Sequence, residues 1–201
     1  MKSAAIIRLA TEQDAVAIAE IYRPYVEETA ISFEESAPNP QEIWKRIEQS
    51  RKSHIWLVAE IHGAVLGYAY SGALRTRYAY RFSAEASIYI HQNHHRKALA
   101  KALYTALHEI MILQGYRVCY AGMTAPNPAS QSLHEGFGYK RLARYENIGY
   151  KNGQWHSTEW FVKELKKPEP KPNDPLSVHK LATDRLETIL QNAAQLIIDH
   201  D

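Results

Sequence analysis

The chain has 201 residues, 45% of them hydrophobic and 23% charged, which suits one domain of ~150 residues with an appendage and is too apolar for a disordered chain. Lysine plus arginine (24) against aspartate plus glutamate (22) leaves a formal charge of +2, far from the concentrated basic charge that binds phosphate backbones, so no nucleic-acid partner is expected. The single cysteine, Cys119, excludes an intrachain disulfide and a cysteine-rich zinc site and points to the cytoplasm, and no apolar run suits a signal peptide or a membrane span.

Ile6 and Leu9 form a short apolar opening. Thr11, with Asp14 three residues on, reads as an acidic capping box that starts a helix, and Val16, Ile18, Ala19, Ile21, Tyr22 and Tyr25 then recur at helical spacing. Asn39-Pro40 opens a second helix carrying Ile43, Trp44 and Ile47, with Arg51 and Lys52 in its last turn, where the helix dipole favours cations. At Ile55 the period changes. Residues 55–60, the turn His62-Gly63 and residues 65–70 read as a β-hairpin, and a third strand over 84–90 follows an arginine- and tyrosine-rich loop.

Residues 97–113 carry a long helical pattern closed by Gln114-Gly115, where a helix prefers glycine. A strand over 118–123, a short helix over 130–135 and strands over 139–145 and 156–165 follow. The order ααβββαβαββ is mixed α/β and spans a domain over residues 1–166. Pro168, Pro170, Pro172 and Pro175 make residues 167–175 a stiff extended linker. Over residues 176–201, Val178, Leu181, Leu186, Ile189, Leu190, Ala193, Leu196 and Ile197 lie at helical spacing, as in an amphipathic helix docked on its own or a twin subunit.

The segment from Tyr89 to Tyr104 runs a strand into a small-residue turn that opens the long helix. Such a turn is an anion site, because the first helical N–H groups are unsatisfied and carry the positive end of the dipole. Arg96 and Lys97 add charge there, while Ala98 and Ala100 keep the backbone approachable. Taken alone, the same pattern also describes a solvated basic helix start.

A strand later comes Pro126-Asn127-Pro128-Ala129-Ser130-Gln131-Ser132-Leu133-His134-Glu135-Gly136-Phe137-Gly138-Tyr139. It resembles the asparagine loop and Leu-His/Tyr-Glu helix of the GCN5-related N-acetyltransferases (GNAT superfamily). Gly67-Tyr68-Ala69-Tyr70, the run from Arg75 to Glu85, and Gly149-Tyr150-Lys151-Asn152-Gly153-Gln154-Trp155-His156 are similar to the phosphinothricin and methionine sulfoximine acetyltransferase branch. The likeness covers about residues 6–165; the tail past Pro168 is outside it.

The resemblance implies a mixed, mostly antiparallel sheet split between two central strands, here 84–90 and 118–123, and flanked by helices. It implies direct transfer from acetyl-CoA to the amine of a small amino acid or analogue, without a metal, in a homodimer. The pantetheine would pair with the backbone of Ile88, Tyr89 and Ile90, the diphosphate with the turn His95, Arg96, Lys97, Ala98, Leu99 and Ala100, and the far side of the cofactor with Asn127 and Ser130. Glu85 matches the catalytic base that an ammonium nucleophile requires. A carboxylate on a central strand tends to a raised pKa, though it could instead pair structurally with Arg81 or another basic side chain. His134 matches the position that protonates the leaving thiolate or assists at the amine, with a helix-cap histidine as the plain alternative. Arg75, Arg77 and Tyr80 match residues that bind the acidic groups of the acceptor, with Phe33 lining the pocket; arginine's forked donors suit oxyanions, and solvated loop arginines are the alternative.

Two departures from the family pattern fall in the turn, where His95 and Ala98 replace the usual Gln/Arg and Gly. An alanine there is strained if its backbone must be left-handed and welcome if it is helical. A third is Ser157, which stands where the branch usually has aspartate. Another small amine or a peptide N-terminus stays open as acceptor, as does a degenerate coenzyme A-binding sensor or interaction protein. His91-x-x-His94-His95 lacks a carboxylate or cysteine to complete a metal site, and Cys119 lacks an evident base to make it a nucleophile.

Overall fold

The computed structural model describes residues 5–95 and 97–198. Strand β1 (Ala5–Leu9) leads into α1 (Ala15–Glu27) and α2 (Pro40–Ser50), followed by β2 (Trp56–Ile61), β3 (Ala64–Ala73) and β4 (Ser83–Ile90). Then come α3 (Leu99–Gln114), β5 (Val118–Ala125), α4 (Pro128–Gly136), β6 (Lys140–Lys151), β7 (Gln154–Glu164) and α5 (Thr183–Ala194). Among the described residues, seven strands form one sheet in the order β1-β2-β3-β4-β5-β7-β6. Every neighbouring pair is antiparallel except β4 and β5.

Strand alternation sorts the core into two layers. Trp56 and Val58 of β2 face α1 and α2 with Ile18, Ile43 and Tyr68, while Leu57, Ala59 and Ile61 face the opposite layer with Leu103, Leu107 and Ile110 of α3. The helix ends are made as their sequences dictate. The Asn39 side chain accepts from the N–H of Glu42, with Pro40 in the first turn of α2, and Gly115 caps α3 at φ 98°.

Several elements differ from the sequence expectation. Ile6 to Leu9 belong to a full strand, because β1 pairs with β2 over five residues and its alternate side chains Ala5 and Ile7 are buried. The capping box at Thr11 and Asp14 closes a short 3₁₀ turn, and α1 begins one residue later; the Asp14 carboxylate also takes both arms of Arg8, at 2.7 Å each. Helix α3 begins at Leu99 rather than Lys97, because Ala98 is left-handed at φ 56°. The sixth strand runs to Lys151, and Asn152-Gly153, both at positive φ, turn it into β7. That dipeptide is a strong hairpin signal, which the sequence reading leaves unused.

The tail folds back on its own domain. Val178, Ala193 and Ile197 are buried in the same core as α3, and α5 lies against α3 and β1. Among the described residues, no helix is long and apolar enough to cross a membrane.

Candidate active site

Strands β4 and β5 pair only at Ser83, Ala84 and Glu85 against Val118, Cys119 and Tyr120. Beyond Glu85 each strand keeps one neighbour, β3 for the rest of β4 and β7 for the rest of β5. The sheet therefore opens into a wedge with unpaired backbone edges, and a peptide-like chain supplying its own amides would satisfy them. Ile88, Tyr89 and Ile90 lie on the β4 edge of that wedge. The Ile90 carbonyl already accepts from the Tyr25 hydroxyl at 2.5 Å.

The wedge opens beside a cavity of about 850 Å3 that gathers side chains from distant parts of the chain. Glu85 and Tyr89 come from β4, Arg75 and Tyr80 from the loop after β3, Phe33 from the loop after α1, and Tyr120 and Met123 from β5. Trp160 of β7 and Leu142 and Ile148 of β6 close the far wall. The structure thus brings together Glu85, Arg75, Tyr80 and Phe33 as the sequence expects. Arg77 is elsewhere: it lines a neighbouring cavity of about 360 Å3 with His54, Tyr116 and Asp174. Tyr120, opposite Glu85 in the β4–β5 register, and Trp160, one strand further on, are wall residues that sequence reasoning misses, since nothing local marks which strands will lie side by side.

Glu85 is half-buried, and burial raises its carboxyl pKa while the positive charge of Arg75 pulls the other way. The structural pairing with Arg81 does not form. Arg81 instead donates to Asp174 at 2.6 Å, and Glu85 makes no ion pair among the described residues. A carboxylate left without a fixed partner in a cavity is free to exchange a proton.

The cavity wall at Phe33 is pinned from two sides. Lys151, itself buried, donates to the carbonyls of Val26 at 2.5 Å and Ser32 at 2.7 Å, and Thr124 donates to the carbonyl of Ala30 at 2.6 Å. Phe33 consequently sits against Gly149, where an added Cβ would come within 2.3 Å of its ring. Ser157, the departure from the branch pattern, donates to the Glu146 carboxylate at 2.7 Å and accepts from the Asn147 N–H at 3.0 Å. It braces the irregular stretch of β6 between Tyr145 and Gly149.

On the other side, the turn from His95 through Lys97 and Ala98 leads into Leu99 and Ala100, the first residues of the 16-residue helix α3; Arg96 lies outside the described residues. Its opening N–H groups have no helical acceptor, so an anion fits there. The left-handed Ala98 decides between the two sequence alternatives: the position is one that glycine suits better. Asn127 caps α4 by accepting from the Ser130 N–H at 3.1 Å.

His134 is 3% exposed and is not among the residues lining the cavity. Its Nδ1 lies 2.7 Å from the carbonyl oxygen of Ser130; a carbonyl only accepts, so Nδ1 carries the proton. Nε2 then accepts from the Tyr104 hydroxyl at 3.1 Å. Burial lowers its pKa, against the opposing pull of the Ser130 carbonyl, and the ring is neutral near pH 7. Cys119 is fully buried, and burial pushes its thiol up to about 12, which removes it as a nucleophile at neutral pH. Among the described residues, no cluster of three or more histidine, cysteine, aspartate or glutamate side chains is arranged to hold a metal ion.

A family model described as acetyltransferase (GNAT) domain matches residues 7–160. The chain is a GNAT acetyltransferase. It is 35% identical to a phosphinothricin N-acetyltransferase of Streptomyces viridochromogenes over 82% of this chain and 90% of that protein. It is 32% identical to an L-methionine sulfoximine/L-methionine sulfone acetyltransferase of Salmonella typhimurium over 74% of this chain and 88% of that one. Among solved structures, a GNAT phosphinothricin acetyltransferase of Sinorhizobium meliloti in complex with acetyl-CoA superposes with a TM-score of 0.81 at 31% identity, covering 89% of this chain and 98% of its own. The split sheet, the turn into α3 and the Glu85 cavity are thus parts of a GNAT N-acetyltransferase, and the family match ends before the proline-rich segment and α5.

Proposed function

We propose that this GNAT enzyme acetylates the amino group of a small acidic amino acid or analogue, of the phosphinothricin or methionine sulfoximine kind. The observation that carries the reading is the meeting of Glu85 and Arg75 in one cavity at the mouth of the β4–β5 wedge. One group can take a proton from an ammonium; the other can hold an anion on the same small molecule.

Acetyl-CoA is the acyl donor, and when bound it supplies an activated thioester carbonyl. The strand edge at Ile88, Tyr89 and Ile90 suits its amide-bearing arm. The turn His95, Lys97, Ala98, Leu99 and Ala100 suits its diphosphate through helix N–H groups and the Lys97 charge, with Asn127 and Ser130 on the opposite edge. Glu85 deprotonates the acceptor, since only the free amine attacks a carbonyl. Arg75 and Tyr80 hold the acceptor's acid groups, and Phe33, Leu142, Ile148 and Trp160 exclude water around its alkyl part. His134, neutral and tied to Ser130, serves by fixing the start of α4 beside the donor.

A homodimer fits the exposed apolar band of the β6–β7 hairpin, where Leu142, Ile148, Tyr150 and Trp155 are each more than half exposed. Because Leu142 and Ile148 also wall the cavity, a twin subunit there would cover the site's outer side. The lone buried cysteine supports a reducing compartment, the cytoplasm.

A thiol-release screen across amino acids, their phosphinate and sulfoximine analogues, polyamines and peptides tests the acceptor. Acidic analogues should lead; a clear preference for polyamines would overturn the reading. Absence of any thermal shift with millimolar acetyl-CoA would instead favour a degenerate, non-catalytic member, since a ligand at 100 times its Kd stabilises by about 2.7 kcal/mol. Light scattering on the purified protein tests the dimer.

A further inference from the structure

We propose that Asp174, in the proline-rich segment beyond the matched domain, is a positioning residue that fixes the acceptor-binding loop, residues 74–82. The inference rests on the reading of Arg75 and Tyr80 as acceptor contacts. That loop is exposed along most of its length, and outside its short 3₁₀ turn at Tyr78–Tyr80 it has no regular structure to hold it.

Asp174 reaches into it with both carboxylate oxygens. The Tyr78 hydroxyl donates to Oδ2 at 2.5 Å and the Arg81 Nε donates to Oδ1 at 2.6 Å. Arg81 also lies over two aromatic rings, its guanidinium 4.0 Å from the Tyr78 ring centre and 4.4 Å from that of Phe82. Tyr78 and Arg81 thereby converge on one carboxylate, with the Phe82 ring beside the Arg81 guanidinium. Arg75, between β3 and Tyr78, and Tyr80, between Tyr78 and Arg81, line both the main cavity and the smaller one that Asp174 helps to close.

The carboxylate is itself held in place from behind. Two residues on, the Leu176 N–H donates to the Gln114 carbonyl at 2.7 Å and the Leu176 carbonyl accepts from the Gln114 side chain at 2.9 Å. Gln114 is buried in the last turn of α3. Upstream, the Leu165 and Lys166 N–H groups both donate to the Arg117 carbonyl. The prolines between these anchors restrict the arch, so Asp174 meets the loop as part of a fixed strap rather than as a free side chain. An isolated exposed ion pair contributes little; a preorganised one that closes a loop spares the acceptor the cost of ordering it.

The same placement accounts for the charge balance around the two cavities. Arg75 and Arg77 have no carboxylate partner among the described residues, whereas Arg81 has Asp174. One of three loop arginines is neutralised as an anchor, and Arg75 keeps its charge for the acceptor.

The test uses the full chain with phosphinothricin and L-methionine sulfoximine as acceptors. Asp174→Ala should raise the acceptor KM by about five- to tenfold, as expected for losing on the order of one loop contact, while kcat and the acetyl-CoA KM stay within about twofold. Asp174→Asn, which keeps an acceptor oxygen, should fall between wild type and Asp174→Ala. Limited trypsin digestion read by mass spectrometry gives a measure independent of catalysis: cleavage after Arg75 and Arg77 should speed up in Asp174→Ala. Unchanged cleavage rates would overturn the strap. Faster cleavage with an unchanged or lower acceptor KM would overturn its link to the acceptor. If wild type acetylates neither compound, the acceptor reading fails, and the digestion still decides whether Asp174 holds the loop.

Discussion

The proposed donor side and the proposed acceptor side of the wedge are built by different means. On the donor side the fitting groups are backbone: two strand edges, Ile88 to Ile90 among them, and the opening N–H groups of α3. On the acceptor side they are side chains brought from distant regions of the chain and pinned by long-range contacts such as Lys151 to Val26 and Ser32. A backbone site tolerates side-chain drift, as at His95 and Ala98. A side-chain site does not, so substitutions should act unequally on the two sides.

The largest effect is expected at Glu85, where the sides meet. Glu85→Gln should lower kcat by roughly 10²–10⁴-fold with acetyl-CoA affinity kept. In wild type, kcat/KM should rise with pH as Glu85 ionises, with a midpoint above the ordinary carboxylate value of 4.5 because burial raises it; the variant should lose that limb. The stability sign follows from the same shift. A carboxyl whose folded pKa is raised contributes stability below its unfolded pKa and loses it as pH rises through the folded value, so Glu85→Gln at pH 7 should melt no lower than wild type. A lower melting temperature would assign Glu85 a structural role.

Next comes the pair of loop arginines. Arg75→Met should raise the KM for acidic acceptors by about tenfold, the lower end of what a hydrogen bond to a charged group is worth, given that Arg75 is exposed. Arg77→Met should have a several-fold smaller effect, because Arg77 faces the other cavity. Equal effects in steady-state kinetics would mean that the loop moves both into the site.

Gly149→Ala tests the acceptor wall. Its Cβ would lie 2.3 Å from Phe33, and such overpacking destabilises by about 1–3 kcal/mol, with the acceptor KM rising and the acetyl-CoA KM steady. Phe33→Ala in the same chain should restore most of the melting temperature, giving a coupling energy from the double-mutant cycle. Additive losses would break the proposed contact.

The smallest effect belongs to the donor side. The left-handed backbone at Ala98 is part of the fold, so its cost of ~1–2 kcal/mol, partly offset by the greater freedom glycine has in the unfolded chain, falls on stability. Ala98→Gly should raise the melting temperature by about 2 °C and change the acetyl-CoA Kd by less than about threefold by calorimetry. A tenfold tighter Kd would show that the strain is met on binding instead.

Much of the fold was legible because its signals are local. Asn39-Pro40 and Gly115 end helices through their own side chain or backbone freedom, and the apolar period separates α3 from the β2–β3 hairpin. Glu85, Asn127 and the turn into α3 were legible as a spaced pattern. The short strand β1 was not, since five residues gain strand character only by pairing with β2.

The sequence alone therefore determined the element order after β1, the family pattern and the residue types that acid–base and anion chemistry require, because each depends on neighbours within a few residues. Only the tertiary structure decided that Arg75 and not Arg77 lines the cavity with Glu85, that Tyr120 and Trp160 wall it, that His134 is enclosed, and that Asp174 returns to grip Tyr78 and Arg81. Those outcomes turn on which way a loop or strand faces and on contacts nearly a hundred residues apart in sequence, where local propensity carries no information and packing of the whole sheet sets the geometry.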